Sequence, residues 1–234
     1  MCELLAMSTR HAAQLIVSLE ALARHSGPAS GTRDGWGVAY FQGRDVALFR
    51  EPIAASDSPL VRWLEQGGPS NTLAIAHIRR ATLGTVGLSN TQPFVRKLGG
   101  RAHVFAHNGH LPGIAQSPAL AFDRYRPIGD TDSEHACCAL LERMHGLWHR
   151  ASTPPTVQQR WAVVTQFAAD LRPLGPANFS MPMASSCLPT AIDASTARAV
   201  ASSRRACFVC REPAAWRGNP PTPRERRRRS RLRP

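Results

Sequence analysis

The sequence predicts an α+β domain, with strands early and central in the chain and helices packed outside them. Three observations lead there. Short apolar runs bounded by turn residues recur across residues 3–106. Two later stretches carry helical capping or periodicity signals instead. Finally, 234 residues and 25.5 kDa are enough for one sizeable core, so a two-domain reading is not needed, and no internal repeat is visible.

The elements follow in order. Glu3-Leu4-Leu5-Ala6-Met7 reads as a buried strand. Ser8 or Thr9 can then cap a helix running to about His25, with Ala12, Leu15, Ile16, Leu19, Leu22 and Ala23 on one face and Gly27 ending it. Gly37–Phe41 and Val46–Phe49 flank Gly43-Arg44-Asp45 as a hairpin, and strands return at Leu73–Ile78 and His103–Ala106. Thr131 and Glu134 have capping-box spacing for a helix through about Met144, and another helix is expected over Val157–Leu171.

Composition narrows the function classes. No apolar run approaches the roughly 20 residues of a membrane span. Glu3 and the polar Ser8-Thr9-Arg10 break exclude a secretory apolar segment at the start, so the expected compartment is the cytoplasm. Six Cys without a regular framework fit reduced thiols. The net charge of +13 is concentrated at one end: Arg204 to Pro234 holds eleven Arg against two Glu, leaving +4 for residues 1–203. Arg226–Arg229 has no interleaved aromatic platform and no recognisable binding fold around it, so nucleic acid is not the expected partner.

The residue that directs the functional reading is Cys2, directly behind Met1. With the methionine removed, it would carry a thiol and a free α-amine, a nucleophile and a base on one residue. Alone, a Cys at position two is unremarkable. Four segments change its weight: Asp34-Gly35-Trp36-Gly37, His77-Ile78-Arg79-Arg80-Ala81-Thr82, His107-Asn108-Gly109 and Thr131-Asp132-Ser133-Glu134. Singly, each is a turn, a solvated Arg pair or a helix cap. In this order behind Cys2 they resemble the class II glutamine amidotransferases, the N-terminal-nucleophile hydrolases that release ammonia from glutamine. The likeness is greatest to the compact stand-alone bacterial branch, with similar stretches at Asn90-Thr91-Gln92-Pro93-Phe94 and Arg124-Tyr125-Arg126-Pro127, and it covers about residues 2–179.

The resemblance implies an αββα sandwich and a site. Cys2 would attack a γ-carboxamide, forming a thioester, while the Asn108 side chain and the Gly109 N–H match the family's oxyanion donors. Arg79 matches the residue that binds the substrate α-carboxylate, a task suited to a planar guanidinium. Asp132 matches the carboxylate for the α-ammonium group, and Thr82 a threonine near the bound glutamine. Relatives often differ at Arg80, so only Arg79 is carried over. An Arg-Gly pair that many relatives carry is replaced here by Gly31-Thr32-Arg33-Asp34, and its role is not transferred to Arg33. His77 and His107 read as packed neighbours. No cofactor or metal is indicated.

The expected substrate is glutamine or another γ-glutamyl amide, with a γ-glutamyl peptide or γ-glutamyl thiol intermediate as the alternative. A chain of this length has no room for a fused synthase, so a separate ammonia-accepting synthase is one expected partner. An inactive regulatory or binding homologue is the reading from another class.

After Phe179 the periodicity disappears, and residues 180–234 are rich in Ala, Ser, Pro and Arg. Codons offer a test. Met181-Pro182-Met183-Ala184, read one base earlier, spells [Asp/Asn/His/Tyr]-Ala-[Asp/Asn/His/Tyr]-Gly, compatible with a hairpin turn. With G/C-favouring codons it continues roughly Glu-Leu-Val-Phe-Ala-His-Gly-His-Arg-Arg, a plausible strand. The tail is therefore read as a frameshift product, irregular and weakly packed, and Cys207-Phe208-Val209-Cys210 carries no zinc argument. A half-built second sheet would leave strand edges uncovered, so the chain as given is expected to be poorly active.

Overall fold

The computed structural model describes residues 2–15, 34–148, 153–182, 191–193 and 198–200. Two antiparallel sheets face each other. The first has the order β1-β4-β2-β3, from β1 (Glu3–Ala13), β2 (Trp36–Gln42), β3 (Asp45–Glu51) and β4 (Asn71–Ile78). The second runs β5-β6-β7-β8-β9, from β5 (Phe94–Leu98), β6 (Arg101–Gly109), β7 (Ala177–Ser180), β8 (Ala191–Asp193) and β9 (Arg198–Val200).

Strand alternation builds the layers, because successive side chains point to opposite faces. Leu4, Ala6, Ala39, Phe41, Leu73 and Ile75 pack against Ala102, Val104 and Ala106 between the sheets. The alternate positions Leu5, Met7, Val38, Tyr40, Ala74 and Ala76 face outward onto Val61 and Leu64 of helix α1 (Pro59–Gly67). On the far side, Phe94, Phe105 and Phe179 bury themselves under α2 (Asp132–Trp148) and α3 (Val157–Leu171). Phe167 of α3 meets Phe179 edge-on at 5.4 Å. The result is the expected αββα sandwich.

Most of the predicted elements are present, with three corrections. β1 does not stop at Met7: it continues to Ala13, where a helix from Ser8 or Thr9 was expected. Tertiary pairing overrides the local capping signal. Ser8 stays in register with Leu73, the ladder shifts before Ala13 meets Asn71, and the Thr9 hydroxyl donates to His11 O at 2.7 Å instead of capping a helix. The rest of that expected helix, residues 16–25, lies outside the described residues. At the start of α2, Thr131 Oγ1 does accept from Glu134 N–H at 3.2 Å, but the Glu134 carboxylate turns to Gly129 N–H (2.7 Å) and to Arg96, so the box is only half formed. The sheet also extends past Ser180: β8 and β9, three residues each, pair antiparallel beyond β7 where irregular chain was expected.

Candidate active site

The register of the first sheet sets the site. Glu3 pairs with Ile78, so the residues just beyond them, Cys2 and Arg79–Arg80, meet at the open end of β1 and β4. Cys2 Sγ accepts from Arg80 N–H at 3.2 Å and lies 3.4 Å from Arg80 O. The thiol is half-buried, and burial pushes its pKa up, opposed by the Arg80 N–H, the amino terminus and the Arg79 cation; Asp132 adds to the rise. Arg79 and Asp132 therefore both act electrostatically on the one sulfur. A thiol held protonated in this way requires a base to become a nucleophile.

Arg79 is buried, and its guanidinium is committed to main chain. Nη1 donates to Asp34 O (3.4 Å) and Thr85 O (3.1 Å), while Nη2 donates to Leu83 O (2.9 Å) and Gly84 O (3.1 Å). It thus organises the loop that carries the exposed Thr82. Asp34 closes the same corner, its Oδ2 accepting from Ala81 N–H at 2.7 Å. Asn90 ties this loop to the one before α2: its Nδ2 donates to Thr85 O (3.0 Å) and Asp130 Oδ1 (2.6 Å), and its Oδ1 accepts from Asp130 N–H (3.0 Å).

Asn108 and Gly109 end β6, paired with Asn178 and Ala177 of β7. Alternation from Ala102, Val104 and Ala106 puts Asn108 on the inner face of its sheet, as it puts Cys2, two residues before Leu4, on the inner face of the other. Gly109 has no room for a side chain, since a Cβ would collide with Pro176 O and come within 2.6 Å of His107 Nε2. Asp132, buried at the start of α2, is fixed by three donors. Oδ1 accepts from Ser133 N–H (2.7 Å) and Oγ–H (3.3 Å), Oδ2 accepts from Leu111 N–H (2.8 Å), and His110 Nδ1 lies 3.5 Å from Oδ2.

Two histidines lie beneath these residues. His77 is held down to about pKa 3 by burial and by the His107 ring, against its interaction with the His107 main chain, and His107 to about 4 by burial, with Asp132 pulling the other way. His107 Nδ1 is 2.9 Å from Ser133 Oγ, which bonds Asp132. Both rings are neutral near pH 7 and act as packing and positioning groups.

Cys2, Arg79 and Asp132 are thus brought together, with Asn108-Gly109 at the facing sheet end. Sequence reasoning missed the role of Arg80, whose main-chain N–H meets the sulfur while its side chain is exposed. It also missed Asp34 and Asn90 as loop ties. Asp34-Gly35 and the Asn-Thr-Gln-Pro run were visible, but the ties from Asp34 to Ala81 and from Asn90 to Asp130 span 40 or more residues.

Two facing antiparallel sheets covered by helices on both outer faces have the N-terminal-nucleophile hydrolase type of architecture. The family model for class II glutamine amidotransferases matches residues 1–207. The Escherichia coli K12 protein named "Putative glutamine amidotransferase YafJ" is 34% identical over 175 residues, covering 75% of this chain and 67% of that one. A Haemophilus influenzae protein named likewise is 35% identical over 179 residues, covering 76% of this chain and 59% of that one. Among solved structures, a "predicted glutamine amidotransferase" from Pseudomonas aeruginosa aligns with a TM-score of 0.55 at 34% identity, over 77% of this chain and 69% of that one. A "glutamine phosphoribosylpyrophosphate (PRPP) amidotransferase" from Bacillus subtilis shares the fold, at TM-score 0.52 and 17% identity, over 81% of this chain and 37% of that one. The chain belongs to the class II glutamine amidotransferases. It spans about three fifths to two thirds of the length of the two curated relatives. Among the described residues, no helix is long and apolar enough to cross a membrane.

Proposed function

We propose that this chain hydrolyses the γ-carboxamide of glutamine through a Cys2 thioester once Met1 has been removed. The observation that carries the reading is the Cys2 sulfur seated on the Arg80 N–H, with Arg79 and Asp132 both acting on it. Burial keeps the thiol protonated, so the neutral α-amine takes its proton as Sγ attacks the carboxamide carbon. The oxygen becomes an oxyanion facing the Asn108 amide and the Gly109 N–H. The α-ammonium group returns the proton to the leaving nitrogen and ammonia departs. The amine then draws a proton from the water that attacks the thioester carbon, the C–S bond breaks to release glutamate, and the ammonium reprotonates the departing Cys2 thiolate. Asp132 receives the substrate ammonium. Arg79 receives the carboxylate by exchanging one or more of its loop carbonyls for it, so substrate binding and the 83–85 loop are coupled.

Mass spectrometry of the N-terminus, with labelling of Cys2 by a glutamine-like electrophile, tests this directly. Cys2→Ala and a form retaining Met1 should lose turnover, and Cys2→Ser should retain only a trace. Full activity with Met1 in place refutes the mechanism. A silent binding homologue would leave Cys2 unlabelled. Comparing kcat/KM for glutamine with that for a panel of γ-glutamyl amides decides the substrate, and preference for a bulky amine would replace glutamine in this reading.

We also propose that residues 180–234 are a frameshift product in a cytoplasmic protein. The curated relatives extend beyond the matched segments, which cover 67% and 59% of their lengths, and this supports the reading; the family match running to residue 207 and the pairing of β8 and β9 beyond β7 favour a genuine continuation. The coding sequence from an independent isolate decides between them.

A further inference from the structure

The Asn90-Thr91-Gln92-Pro93-Phe94 run leads into β5, and Gln92 makes contacts that this reaction needs. The β5–β6 ladder ends at Phe94, which pairs with Phe105. Beyond it, no strand among the described residues pairs with β6 at His107 on that side. The buried Gln92 side chain takes the place of one: its Oε1 accepts from His107 N–H at 2.6 Å, and its Nε2 donates to His107 O at 3.1 Å. A single carboxamide thus satisfies both main-chain groups of the residue directly before Asn108 and Gly109.

Gln92 is itself fixed from the other sheet. Arg50 Nη1, from β3, donates to Thr91 O at 2.7 Å, and Thr91 Oγ1 donates to Gly87 O at 2.9 Å. On β2, Gly37 lies so close that a Cβ there would run into Gln92 O. The backbone of this segment is therefore held by the sheet that carries Cys2, while its side chain holds the sheet that carries the oxyanion donors.

We propose that Gln92 is a positioning residue for the reaction: by bonding both main-chain groups of His107, it sets Asn108 and Gly109 at the correct distance from Cys2. The inference rests on the amidase reading above. A misplacement of about 1 Å at reacting groups costs about 10²-fold in rate, so the effect should appear in transition-state stabilisation and not in ground-state binding.

The test uses the full chain with Met1 removed and two probes. One is a glutamine analogue with an aldehyde in place of the carboxamide. Cys2 Sγ adds to its carbonyl carbon, the thiol proton passes to the amine or the new oxygen, and that oxygen occupies the oxyanion site. The other is glutamate, a ground-state ligand. Gln92→Met, similar in shape but unable to make either bond, should weaken the aldehyde by about 10²-fold and leave glutamate affinity unchanged. Equal losses for both probes, or no loss for either, overturns the proposal. Should Gln92→Met not fold, Gln92→Glu supplies the readout. Protonated, its carboxyl can donate to His107 O and accept from His107 N–H; ionised, it can only accept and opposes the carbonyl. Its aldehyde affinity relative to the unsubstituted chain should rise as pH falls from 8 to 5, and a flat ratio refutes the role. If the unsubstituted chain binds the aldehyde no better than Cys2→Ala does, the amidase reading itself fails, which the Gln92 variants cannot mimic.

Discussion

Lowering the pH from 7 to 5.5 should destabilise this fold steeply, because three histidines are buried in their neutral form. His77 is held to about pKa 3 by burial, His107 and the Arg79 cation. His107 is held to about 4 by burial and His110, against Asp132. His103 sits against the Trp148 ring at 5.6 Å and is held to about 4 by burial, with Arg160 and Arg101 adding to the depression and its bond to Arg101 O opposing it. An unfolded His titrates near 6.5, so between that value and the folded one the unfolded chain binds more protons. The sign follows: the stability is fully present above about pH 6.5 and is lost as pH falls toward the folded values. Each ring then costs about 1.3 kcal/mol at pH 5.5 relative to pH 7, and the three together on the order of 4 kcal/mol. That is a large fraction of the 5–15 kcal/mol typical of a domain. Unfolded carboxylates titrate below this window, so they contribute little to the change. Urea unfolding at the two pH values measures it. His103→Phe should keep the contact with Trp148 and remove about a third of the pH-dependent loss. A change below about 1 kcal/mol in the parent chain, or a His103→Phe chain with the parent's full pH response, would refute the assignment of neutral buried rings.

Other substitutions test the site. Gly109→Ala places a methyl against Pro176 O and His107 Nε2, displacing the N–H proposed as an oxyanion donor; kcat should fall by about 10²-fold or more, and unchanged kcat removes Gly109 from the donor pair. Asp132→Asn keeps one acceptor oxygen but turns an NH2 toward either Leu111 N–H or Ser133 N–H. It should cost about 1–3 kcal/mol in urea unfolding and raise KM for glutamine, and a stability loss with KM unchanged would leave Asp132 a helix cap only. Restoring the reading frame after Ser180 should raise both the unfolding midpoint and turnover, and a restored chain inferior to the present one on both measures would refute the frameshift.

The parts of this fold visible in the sequence are those whose cause is local. Val157–Leu171 is a helix because Thr156 and Gln159 complete a capping box beside it, and the β2–β3 hairpin follows from Gly43 in a left-handed turn. Helix α1 was legible but went unread: Ser58 caps Val61 N–H at 3.0 Å, and Pro59 sits at the first helical position. Only distant partners could have shown that β1 continues past Ser8, where Leu73 supplies the pairing. The site divides in the same way. Cys2, Arg79, Asn108, Gly109 and Asp132 stood out as residue types in a recognisable order, and each has a defined place near the ends of the two sheets.

What no motif conveys is how those ends are held in alignment. Cys2 and Arg79–Arg80 belong to one sheet, Asn108 and Gly109 to the other, and the inner faces between them mix Leu4, Phe41, Leu73, Ile75 and Val104 with the small residues Ala6, Ala39, Ala102 and Ala106. The alanines allow close approach of the sheets, and the larger side chains fill the layer between them. Hydrogen bonds at the rim supply directionality that apolar packing lacks. Gln92 spans the gap directly, Asn90 ties the Arg79 loop to Asp130, and Asp132 itself bonds the chain just after Gly109 through Leu111 N–H. On the proposed reading, Gln92 and Asn90 hold the catalytic geometry without contacting substrate, and changes to these two should alter transition-state binding before they unfold the core.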